Sequence, residues 1–260
     1  MPLQIIEGLF DPTVRLHPWY RSNAISAHGP TKVRSSKDAE NDVLSHGLSQ
    51  KSMTIGTMAR IPELVHAPRT NHSEIQDLYQ RACLDVEELS RRKSEISQRL
   101  SEGKWASITT RAIATEKILP VCHTTHGILL AIILGCNAIL SALHPWDVSL
   151  AEDNARFCDD VLSLSEQVSP YRPLGASHLP ICLVAAYLAV ADPVKRRKLH
   201  GLLVDYQEDI SGACWVIVGE AARETYLAAR LRLFETIEHE FREEVITPLE
   251  GEDVSLCAVQ

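Results

Sequence analysis

The apolar positions of this chain fall into blocks with a helical period and no sustained alternation. From Ser73 to Leu100, Ile75, Ala82, Leu89 and Ile96 recur every seven residues, and so do Tyr79, Val86, Lys93 and Leu100. Together they make one apolar stripe, broken at Lys93, with charge on the opposite face. The pattern predicts a long surface helix or half of a coiled-coil hairpin. Ser73 is the expected cap, with Glu74 in the favourable first turn. A second helix is expected from about Lys104 to Leu119, ending at Pro120.

The segment from Gly127 to Leu143, "GILLAIILGCNAILSAL", is apolar on every side except for Asn137 and Ser141. Such a run spans about 25 Å as a helix, slightly short of a bilayer core. It is expected to be a buried central helix, with a membrane span as the alternative. "HPW" breaks it. Ser149 and Glu152 then form a capping-box pattern, followed by Phe157, Val161, Leu164 and Val168 at helical spacing. After the loop "SPYRPLGA" a short apolar helix runs from His178 to Val190. Asp192 and Pro193 suit the N-cap and first position of the next helix. A last helix, about Ala213 to Glu244, places Trp215, Val218, Ala222, Tyr226, Ala229 and Leu233 on one side.

Residues 1–70 lack such a period and are rich in Ser, His, Gly and charge, so this segment is expected to be mostly disordered. The expected organisation is a disordered segment over 1–70, a helical domain over 71–247 and a tail over 248–260. The expected fold is all-α, a bundle or array of six to eight helices.

Composition narrows the function classes. The net charge of −8 opposes binding of the whole surface to nucleic acid or an anionic membrane. The first 70 residues carry 8 basic and 6 acidic side chains, too small an excess for a nucleic-acid arm. The 7 cysteines are odd in number, dispersed and mostly among apolar neighbours, as expected of reduced, buried thiols. With no CxxC, a zinc site built from cysteine pairs is excluded. "MPLQIIEGLF" has neither the basic start nor the apolar run of a signal peptide.

Catalytic signatures are absent: no phosphate-binding glycine loop, no dinucleotide fingerprint, no nucleophile elbow and no HExxH. The nearest approach to a metal cluster is "CHTTH", where Cys122, His123 and His126 share a helical turn and His144 is a possible fourth member. Glu235 and His239, four apart, are one weak hit. The expectation is no catalytic residue, no cofactor and no metal ligand. The basic tetrad Lys195–Lys198 has three readings: a nuclear import signal, a phosphate contact or a solvated helix face. The last is the expectation, and no interleaved aromatic residues support a single-strand groove.

The run from Tyr171 to Trp215 resembles the C-terminal part of fungal-specific transcription factors of the zinc binuclear cluster class. Arg172, Pro173, Leu174, Gly175, Asp192, Pro193, Tyr206, Gln207, Gly212 and Trp215 carry the likeness. "CNAILSALHPWD", from Cys136 to Asp147, adds to it. The resemblance covers about residues 71–245 and implies a helical regulatory domain acting in the nucleus. It implies partners among the transcription machinery or related regulators. The helix over 74–100 is the candidate interface for a homo- or heterodimer. Members of this class bind DNA through a module of six cysteines, and here the first cysteine is Cys83. Zinc and specific DNA binding are therefore not implied. A truncated family member and a stand-alone regulator both fit. The alternative class is a small-molecule binder or enzyme, with a pocket between helices near Cys122–His126 and Tyr171–Gly175.

Overall fold

A computed structural model describes residues 55–102, 118–209 and 214–246. Among them lie seven α-helices and no strand: α1 (Ile55–His66), α2 (His72–Ser101), α3 (Leu119–Leu143), α4 (Val148–Val168), α5 (Leu179–Ala189), α6 (Pro193–Asp209) and α7 (Trp215–Ile246). Two short 3₁₀ turns, Ser169–Tyr171 and Leu174–Ala176, join α4 to α5. The all-α architecture is as the periodicity requires.

The apolar run from Gly127 forms the back of α3, which begins eight residues earlier and takes in "CHTTH". Packing on α2, α4, α5 and α7 surrounds it. Leu129, Leu130, Ile133 and Leu134 are completely buried. By length and composition alone α3 would cross a membrane, yet 72% of its most apolar window is buried inside the fold. A helix that is apolar all round needs neighbours all round, and here other helices supply them.

The stripe on α2 lies against α3: Ile75, Tyr79, Ala82, Val86 and Leu89 are buried. Past Leu89 the helix continues largely into solvent. Arg91 there pairs with Glu88 and Glu95 along the exposed face, pairs of small energetic worth. The face anticipated as a dimer seam is thus occupied within the chain over Ile75–Leu89.

One buried polar knot ties three helices together. Asn137, wholly buried in α3, donates through Nδ2 to the Leu150 carbonyl at 2.9 Å. Its Oδ1 accepts from Asn154 Nδ2 at 3.3 Å and from Ser141 Oγ at 3.4 Å. The Tyr79 hydroxyl donates to Asp153 at 2.6 Å, joining α2 to α4. Every heteroatom of the Asn137 side chain is satisfied, which makes its burial tolerable.

Several local expectations need correction. Residues 55–66, placed in the disordered segment, form α1. Ile61, Leu64 and Val65 of α1 pack against the core at spacings of three and four. Ser73 does not cap α2. Asn71 stands at the N-cap, and its Nδ2 donates backward to the Ala67 carbonyl at 3.0 Å. Asp147 rather than Ser149 caps α4, accepting from the Ser149 amide at 2.9 Å. Pro120 lies in the first turn of α3, where a missing amide costs nothing. The helix expected over Lys104–Leu119 falls mainly on 103–117, outside the described residues, as do 1–54, Gly212 and the 248–260 tail.

Candidate functional site

The first turns of α3 bring Cys122, His123 and His126 under cover, each less than a tenth exposed. Lys93, the break in the stripe of α2, reaches over them. Its Nζ lies 3.4 Å from His126 Nδ1 and donates to Gln167 Oε1 of α4 at 3.0 Å. His123 Nδ1 and His126 Nε2 are buried without a hydrogen-bond partner. Burial, reinforced by the Lys93 charge, pushes both imidazoles down to about 4. Burial also lowers Lys93 and raises the Cys122 thiol. Two neutral imidazoles beside a cation are weak bases at neutral pH.

His144 does not join them. It lies eighteen residues past His126 on the same rod, about 27 Å away along the axis, and its Nε2 meets His72 Nε2 at 2.7 Å. Among the described residues, no three His, Cys, Asp or Glu side chains converge as a metal set. Glu63 and His66 stand three apart on α1, a spacing used in bundle metal sites, and among the described residues no third His, Cys, Asp or Glu joins them. Glu235 is exposed on α7, and the His239 side chain lies outside the described ones.

An apolar cavity of about 360 Å³ opens between α1, α2, α3 and the start of α5. Ile61, Leu64 and Val65 of α1 form one wall, with Ile75 and Leu78 of α2 beside them. Ile128, Ala131, Ile132, Gly135, Cys136 and Ile139 of α3 form the opposite wall. His178, Ile181 and Cys182 close one end. Neither Cys122–His126 nor Tyr171–Gly175 lines it.

The end wall is held tightly. The Cys182 thiol donates to the Gly127 carbonyl at 2.9 Å. A Cβ on Gly127 would stand 2.7 Å from His178 Cδ2 and 2.9 Å from Cys182 Sγ, so α3 and α5 approach this closely only because residue 127 is glycine. Gly135 is the converse, for a Cβ there would meet nothing within 4 Å. Among the described lining side chains, His178 carries the only nitrogen. Its Nδ1 is 3.5 Å from Thr124 Oγ1, and its buried Nε2 has no partner. Burial lowers its pKa, so it is neutral at physiological pH. Burial likewise pushes the Cys136 and Cys182 thiols up to about 12, keeping them protonated and unreactive.

Arg172, Tyr206, Gln207 and Asp192 make their contacts on or beside α6. Arg172 Nε donates to Asp209 Oδ2 at 2.6 Å and Nη2 to the Asp205 carbonyl at 2.6 Å. Its guanidinium lies 4.4 Å from the centre of the Tyr206 ring. Gln207 Oε1 accepts from the Val216 amide at 3.2 Å, holding the first turn of α7. Asp192 Oδ1 accepts from the Val194 amide at 2.7 Å, with Pro193 at the first helical position as expected. Within the basic tetrad, Lys195 turns inward to Asp159 at 2.7 Å and to the Ala155 carbonyl at 3.0 Å. Arg197 and Lys198 face solvent. Compared with known protein families, curated proteins and solved structures, the chain matches none.

Proposed function

We propose that the chain is a non-catalytic, all-α regulatory domain acting in transcriptional regulation in the nucleus. It works through contacts with transcription machinery or related regulators. One observation carries this reading. Two contacts of residues that fit the regulatory-region pattern hold α6 in place: Arg172 ties the 3₁₀ loop to Asp205, Tyr206 and Asp209, and Gln207 ties α6 to Val216 of α7. Motif members that are packing partners behave as a fold signature. The non-catalytic part of the reading rests on how the buried polar groups are used. The Asn137 knot and the Arg172 contacts hold helices to one another, and the buried imidazoles and thiols are neutral at pH 7. For contacts, Trp146 offers an apolar spot on the surface: it is 81% exposed and meets Phe234 edge-on.

The test is transcriptional. The full chain is fused to a heterologous DNA-binding module and read on a reporter gene. We expect output to change at least severalfold, in either direction, relative to the module alone. Arg172→Ala is expected to abolish that change. A reporter level equal to that of the module alone contradicts the proposal.

A further inference from the structure

We infer that the cavity between α1, α2, α3 and α5 is a binding site for a neutral, apolar small molecule. The inference goes beyond the transcriptional reading and stands apart from it, because it concerns a different surface and is read on purified protein.

Size comes first. About 360 Å³ lies within the range of small-molecule pockets and is too small for a docked helix. Next comes polarity. Apart from two thiols held protonated, the described wall residues are aliphatic except for His178. Bringing a charged ligand into such a space would strip its hydration with no counter-ion to replace it. Water fares little better, since an apolar cavity cannot satisfy its hydrogen bonds.

His178 stands at one end of the wall, but its unpartnered Nε2 is fully covered and lies against Gly127, so it offers a ligand no polar group.

Gly135 supplies the room. A helix interior normally disfavours glycine relative to alanine. Here the position has free space for a side chain and faces the cavity. Its glycine widens the pocket where any other residue would narrow it.

The experiment is titration of the purified full chain with N-phenyl-1-naphthylamine, a neutral fluorescent probe. Its sulfonated analogue, 8-anilinonaphthalene-1-sulfonate, serves as the charged comparison. We expect saturable one-to-one binding of the neutral probe. Gly135→Leu is expected to weaken it at least tenfold. The sulfonated probe is expected to bind at least tenfold more weakly than the neutral one. Should the leucine variant lose its helical circular dichroism, Ala131→Leu narrows the same wall and is read the same way. Three results would each overturn the inference: no saturable binding, equal binding by the narrowed variant and the original chain, or equal affinity for the sulfonated probe.

Discussion

Ile133→Ala should lower the free energy of unfolding by about 2–5 kcal/mol. Ile133 is completely buried in α3, with packed helices on several sides of that rod. Removing its branched side chain loses the transfer energy of the missing atoms. It also leaves a void that five mutually braced helices cannot close. The measurement is urea unfolding followed by circular dichroism, where the midpoint should fall with little change in slope. Leu84→Ala on α2 is the internal comparison. Leu84 is 65% exposed, and its truncation should change stability by no more than about 0.5 kcal/mol. Equal effects at the two positions would show that α3 is not the core.

Mild acid should weaken the fold steeply, through His123 and His126. Both sit near 4 in the folded chain, because burial and the Lys93 charge oppose protonation. In the unfolded chain each returns to its ordinary value of about 6.5. The unfolded state therefore binds more protons between those values, so stability falls as pH falls. It is fully present above about pH 6.5 and is lost progressively toward pH 4. Each histidine contributes up to about 1.4 kcal/mol per pH unit in that window. The pair together removes about 3 kcal/mol between pH 6.5 and 5. That is a large share of the 5–15 kcal/mol typical of a domain. His178, lowered by burial, works in the same direction. Asp160, whose carboxyl burial pushes up, works in the opposite one. Urea midpoints measured from pH 7.5 to 5 test this. The double variant His123→Gln, His126→Gln should show a much flatter dependence than the original chain. Parallel curves would mean that these imidazoles are not held neutral in the fold.

What the sequence disclosed follows the physics of each element. The core rod was legible because an all-round apolar run of helical length has to be covered. The start of α6 was legible because Asp192 and Pro193 act through the adjacent backbone alone, needing no tertiary partner. The caps of α2 and α4 were misplaced by two residues each. Several polar residues compete there, and the winner depends on where the preceding chain enters. Asn71 and Asp147 won over Ser73 and Ser149.

The candidate site was the least legible part. The cavity needs α1, whose Ile61, Leu64 and Val65 show helical spacing for barely more than one turn. That signal is too short to stand out from a polar neighbourhood. A void, moreover, is made by what four elements fail to fill, and no local pattern encodes it. The lone polar residues Asn137 and His178 look alike in sequence. Only tertiary neighbours make one a satisfied knot and the other an orphan.

α3 forms the buried axis of a packed helical domain. Native-state amide hydrogen exchange on the purified chain, in buffer without detergent, tests it most directly. Amides from Leu129 to Leu140 are expected to exchange slowest among the described residues and to open only with global unfolding. Exchange there as fast as in the solvent-facing turns of α2 beyond Leu89 would contradict it.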